Sequence, residues 1–99
     1  EVEIEVPQFN ELLMGWFPFA DGKPGASGSL VQHSGAYVPS DSLGPVVYLS
    51  CDDVQHVLDR VAGAGGQIIQ PKTQISEAIG FMGIILDSEG NRIALHSRV

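Results

Sequence analysis

Cysteine is nearly absent from this chain: Cys51 stands alone among 99 residues, so no internal disulfide can form, which fits a reducing compartment. Basic side chains are also scarce. Five Lys and Arg against 12 Asp and Glu leave a formal net charge of −7, which repels phosphate backbones and anionic membrane surfaces. Long apolar runs are missing too: stretches such as residues 83–86 fall far short of the roughly 20 residues of a membrane span, and no basic-then-apolar leader opens the sequence. The expectation is a soluble, cytoplasmic protein with neither nucleic acid nor membrane as a partner.

What is present is enough apolar material for one core. Hydrophobic residues make up 43% of the chain, and a domain of this size hides about 60 to 70% of its unfolded surface. A single domain over residues 1–99 is therefore expected.

Hydrophobic periodicity divides the chain into strands and one helix. Glu1, Glu3 and Glu5 alternate with Val2, Ile4 and Val6, a period of two that predicts a charged edge strand ended by Pro7. Further strands are predicted over residues 12–17, 27–32 and 45–51, with the Gly- and Pro-rich residues 21–25 as a turn. A helix follows. Asp52 or Asp53 can cap its start, Val54, Val57, Leu58, Val61 and Ala62 recur as one buried stripe, and Gly63, Gly65 and Gly66 stop it. Residues 67–70 predict a short strand ended by Pro71, residues 72–80 a polar loop, and residues 81–86 an apolar strand. The turn at residues 87–91, where Gly90 and Asn91 tolerate a left-handed backbone, leads to a last strand over residues 92–97.

The halves echo each other. Met14-Gly15-Trp16-Phe17 matches Met82-Gly83-Ile84-Ile85, and Leu30-Val31-Gln32-His33-Ser34 matches Ile93-Ala94-Leu95-His96-Ser97 in the same order. Two copies of one supersecondary unit are the expected origin.

Together these residues resemble the glyoxalase/bleomycin-resistance/dioxygenase (vicinal oxygen chelate) superfamily, most closely its small bacterial glyoxalase-like members. The run Gly80-Phe81-Met82-Gly83-Ile84-Ile85-Leu86-Asp87-Ser88-Glu89-Gly90-Asn91-Arg92-Ile93-Ala94-Leu95-His96-Ser97 looks like that group's closing hairpin. Trp16-Phe17-Pro18, Gly25-Ala26-Ser27-Gly28, Val47-Tyr48-Leu49-Ser50-Cys51-Asp52-Asp53-Val54 and Gln70-Pro71-Lys72-Thr73 match as well. The resemblance implies an α+β fold of paired βαβββ modules, each curling a sheet around a cleft. Residues 45–99 would form a complete second module and residues 1–44 an incomplete first one, lacking its opening strand and helix, on the order of 25 residues. The chain is thus expected to continue upstream of Glu1 or else to cover its open edge by dimerising.

Metal-dependent relatives draw a His from near the start of the second module and a Glu from the last strand. Those positions hold Val46 and Ala94 here, and the internally matched position holds Val31; none can bind a divalent cation, so neither metal nor cofactor is expected. His33 and His96 occupy equivalent places in the repeat and either line the cleft together or sit half exposed at strand ends. His56 falls between the stripe positions and faces solvent. Cys51 shares the parity of Val47 and Leu49, which predicts a buried structural thiol over a nucleophile. Asp52 and Asp53 read as helix caps before acid and base. The sequence around Ser27 lacks a nucleophile elbow, and Gly22-Lys23 lacks the rest of a phosphate loop.

Alternation gives Val46, Tyr48, Ser50, Arg92, Ala94 and His96 one common face, an apolar floor with a few polar points of the kind small-molecule pockets use. Trp16 adds an aromatic wall or packs in the core. The leading expectation is metal-independent binding of a small, partly apolar molecule in a homodimer, with Trp16, Val31, His33, Val46, Tyr48, Ser50, Arg92, Ala94 and His96 as ligand-binding residues. The rivals are a metal-dependent lyase, isomerase or dioxygenase of the same superfamily and a structural dimeric module with a filled cleft.

Overall fold

The computed structural model describes residues 4, 6, 8–9, 12–17, 28–35 and 37–99. They belong to two compact units, Glu1–Val38 and Pro39–Val99, and the architecture is α+β. Among the described residues no helix is long and apolar enough to cross a membrane.

The first unit holds an antiparallel sheet of order β1-β2-β3, formed by β1 (Gln8–Phe9), β2 (Leu12–Trp16) and β3 (Ser29–Gln32). The expected strand at residues 1–6 is not seen where it can be judged: Ile4 and Val6 lie outside any strand and are exposed, and residues 1–3, 5 and 7 lie outside the described residues. Alternation makes a strand possible, but a strand also needs a hydrogen-bonding neighbour. Beyond Pro7, Gln8 and Phe9 take one edge of β2, opposite Leu13 and Leu12, and β3 takes the other.

The second unit runs β4 (Tyr48–Ser50), α1 (Val54–Val61), a 3₁₀ turn (Ala62–Ala64), β5 (Gln67–Ser76), β6 (Gly80–Leu86) and β7 (Arg92–Ser97). Its four strands form a mixed sheet of order β4-β7-β6-β5 in which β4 lies parallel to β7 and the other pairs are antiparallel.

Helix α1 starts where its capping chemistry dictates. Asp53 is extended (φ −150°), and its carboxylate accepts the Gln55 N–H at 2.9 Å, satisfying one of the free donors of the first turn. Val54, Leu58 and Val61 are buried on one stripe, while His56 is exposed as expected. Gly65 ends the helical stretch at φ 92°, a left-handed conformation that glycine adopts without a Cβ clash. The core is Val54, Leu58 and Leu95, with Cys51, Val57 and Ile85 packed against it.

The strand after the helix is longer than expected. It continues through Pro71 to Ser76, so most of the expected loop at residues 72–80 is strand, and only residues 77–79 connect β5 to β6. Proline lacks an N–H and breaks an interior strand, but β5 is an edge strand, where that donor is not needed on the outer side. Pairing with β6 shifts register between Gln70 and Thr73, the interval that contains Pro71.

The turn between β6 and β7 is built by Asp87. Its carboxylate accepts the N–H groups of Glu89 and Asn91 at 2.9 and 2.8 Å, and Gly90 takes φ 86°. The Asn91 side chain in turn accepts the Ser40 N–H at 3.1 Å.

The internal echo has a structural counterpart with a difference. Both echoed strand pairs are antiparallel hairpins, but Met82 lies opposite His96 whereas Met14 lies opposite Val31, not opposite His33, the residue matched to His96. A slip of two residues keeps every side chain on its original face.

Candidate functional site

The two faces of the four-stranded sheet are told apart by Gly83 and Leu95, which pair across β6 and β7. Leu95 belongs to the core with Val54 and Leu58, and a Cβ on Gly83 would meet Val54 Cγ1 at 3.0 Å and Leu58 Cδ1 at 3.5 Å. Both therefore point at α1. Residues one step along each strand point the other way.

That opposite face consists of three rows. Gln67, Leu86 and Arg92 form the first; Gln70, Ile84, Ala94 and Tyr48 the second; Thr73, Met82, His96 and Ser50 the third. The expected grouping of Tyr48, Ser50, Arg92, Ala94 and His96 is thus reproduced by strand register, and Val46 precedes β4 with the same parity. Ala94 sits in the middle row, fully buried, with Tyr48 half exposed beside it. The rows have an apolar centre of Leu86, Ile84, Ala94 and Met82 and polar ends. They contain no carboxylate side chain, and Arg92 is their one permanent charge.

His96 is committed on one side. Its Nε2 lies 2.6 Å from the Ile79 carbonyl oxygen, which can only accept, so Nε2 carries the proton in the neutral ring. Arg92 differs: its Nε is buried and has no hydrogen-bond partner. Tyr48 and Ser50 are exposed on an edge strand, and Val46 is half-buried.

The remaining expected residues belong to the first unit. Val31 lies on β3 opposite Met14 and is 37% exposed. His33 follows β3 and meets the Tyr37 ring edge-on at 6.2 Å, and its carbonyl accepts the Tyr37 N–H at 3.3 Å. Trp16 pairs with Ser29 through the backbone, and its side chain lies outside the described part of the protein.

Cys51 is packed against the core, with its Sγ 3.5 Å from the His96 carbonyl oxygen. Burial, then the charges of Asp53 and Asp52, push the thiol above its ordinary range, and Lys72 only partly opposes them. A neutral thiol is a poor nucleophile. Asp53 is held below the ordinary carboxylate range, chiefly by the hydrogen bond from Lys72 at 2.8 Å and next by the Gln55 N–H. Lys72 also lies 4.8 Å above the Phe81 ring. This cap, cation and ring tie the helix start to β5 and β6, a structural role in keeping with the capping expected for Asp53.

One feature was not expected. An open cavity of about 320 Å³ lies where the second half of α1 meets the end of β6, lined by Val57, Arg60, Val61, Ala64, Gly66, Ile85, Leu86, Asp87 and Ser88. None of the nine expected ligand-binding residues lines it. Sequence alternation places Val57 and Val61 toward the sheet and Asp87 in a turn, but it carries no signal for the gap left between them.

A divalent cation does not suit these residues. Val46 and Ala94 are aliphatic, Ala94 is fully buried, and His96 Nε2 is engaged by a carbonyl. Among the described residues no three His, Cys, Asp or Glu side chains are grouped to hold a metal. Compared with known proteins, the chain matches no family model and no curated sequence.

Proposed function

We propose that this protein binds a small, partly apolar molecule without a metal, on the helix-free face of the β4-β7-β6-β5 sheet. The observation that carries this reading is the make-up of that face. The partly exposed Ile84 and Met82, flanking the buried Ala94, are ringed by Tyr48, Ser50, Arg92 and His96, which gives a guest both contact area and a few directional polar groups. The aliphatic residues at the chelating positions support binding by shape and polarity over metal chemistry. On this reading the strand, helix and three strands of the second unit are one βαβββ module of the glyoxalase/bleomycin-resistance type. The first unit is part of its duplicate, and the protein works as a cytoplasmic homodimer.

The test is a two-dimensional amide NMR screen of the intact chain against small aromatic and aliphatic compounds, with light scattering for oligomeric state. Shifts confined to Tyr48, Ser50, Ala94 and His96 in a particle of twice the chain mass are expected. Stoichiometric Ni, Zn, Fe or Mn in protein purified without chelator would overturn the metal-free reading. A screen in which shifts cluster only around Val57 and Ser88 would move the site to the α1–β6 cavity.

A further inference from the structure

We infer that Arg92 makes this face selective for a monocarboxylate with an apolar body, an inference that rests on the face being the binding site. Arg92 begins β7 in the row with Leu86 and Gln67 and next to the apolar patch of Ile84, Ala94 and Met82. Its guanidinium is permanently charged, yet Nε is buried with no acceptor. Folded proteins rarely leave such a donor unmet, because an unsatisfied buried group loses its hydration without recompense, and a charged one loses more.

Nothing on the sheet face supplies the missing acceptor. The three rows hold no Asp or Glu; of the two acidic residues just before Arg92 in the chain, Glu89 is exposed in the turn and Asp87 has its carboxylate engaged by the Glu89 and Asn91 N–H groups. In a chain with 12 acidic residues against five basic ones, an arginine whose row-mates among the described residues are all neutral is set apart.

The chemistry of the donor names the guest. Nε and one neighbouring Nη form the side-on fork that fits the two oxygens of a carboxylate in a plane. A single guanidinium, the one fixed positive charge on the face, balances a monoanion. A phosphate dianion would bring excess charge to a protein already at −7. The apolar centre beside Arg92 then takes the rest of the molecule, with Tyr48 and His96 at its far side.

Titration of the intact chain with phenylacetate and with its neutral counterpart phenylacetamide, followed by amide NMR, tests this. The expected result is binding of phenylacetate about tenfold or more tighter than phenylacetamide, as one charge-assisted hydrogen-bond pair provides. In Arg92→Gln the preference for phenylacetate over phenylacetamide disappears, and Arg92→Lys restores only part of it. Equal affinities in the wild type, or inorganic phosphate displacing phenylacetate as effectively as benzoate does, overturn the carboxylate assignment and leave the binding face standing. If neither probe shifts Tyr48, Ala94 or His96, the binding face itself is wrong. Should Arg92→Gln fail to fold, the wild-type ratio and its fall toward unity with added sodium chloride decide the question.

Discussion

Val54 and Ser97 hold the start of the helix to the end of the sheet: the Val54 N–H donates to Ser97 Oγ at 3.0 Å, and that hydroxyl donates onward to the Val99 carbonyl at 2.8 Å. Both residues are essentially inaccessible to water. Ser97→Ala removes the acceptor and leaves a buried helix-start donor unmet, at a cost of about 1–3 kcal/mol. Thermal unfolding followed by circular dichroism should show a midpoint lower by about 4–8 °C per kcal/mol for a domain of this size. An unchanged midpoint would mean that the relaxed helix start finds another acceptor.

Gly80 and Gly90 separate backbone strain from steric exclusion. Both have positive φ, 106° and 86°, but a Cβ at Gly90 meets nothing within 4 Å, whereas one at Gly80 collides with the Ser97 carbonyl oxygen and crowds Arg98. Gly90→Ala should cost about 1–2 kcal/mol, the penalty of a left-handed backbone. Gly80→Ala should cost clearly more, because β7 must move away from β6. Urea unfolding of the two variants gives the comparison, and equal losses would show that the β6 start yields freely.

The Asp53–Lys72 pair sets an acid dependence whose sign is fixed. The folded-state pKa of Asp53 lies below the ordinary 3.8, so its contribution is complete above that value and is lost as pH falls through the folded value. Asp53→Asn should therefore flatten the decline of stability as pH falls below the ordinary carboxylate range, relative to wild type. Both side chains are about a quarter exposed (24% and 27%), so the difference should shrink in high salt.

Cys51 should resist alkylation. Its raised pKa keeps the thiol protonated at neutral pH, and its packing against the core limits approach. Iodoacetamide labelling at pH 8 is expected to be slower in the folded protein than in the same protein unfolded in guanidinium chloride. Equal rates would show that the strand carrying Cys51 opens readily.

Strand register made part of the site legible from sequence. Tyr48, Ser50, Arg92, Ala94 and His96 share a face because the period of two in β4 and β7 is an intrinsic property of the extended backbone, and the helix stripe marks the other face as core. Pro71 misled because its effect depends on position: the residue that ends an interior strand is tolerated at an edge, and sheet order is not written in local sequence. Ile4 and Val6 misled for a related reason, since their alternation has no record of which segment wins the edge of β2. The unmet Arg92 Nε and the α1–β6 cavity were invisible because both are gaps between elements, set by packing in three dimensions.

The order of strands also constrains how the polypeptide matures. Arg92–Ser97 is the last strand of the second unit to be synthesised, yet it lies inside the sheet, and without it β4 has no neighbour. While a ribosome still shields those six residues, the apolar side chains of Val54 and Leu58 lack Leu95 and β4 has no strand to pair with, although the β5–β6 hairpin can already form. The second unit should therefore fold after release of this segment, in a single late step, with chaperone dependence concentrated in the interval before it.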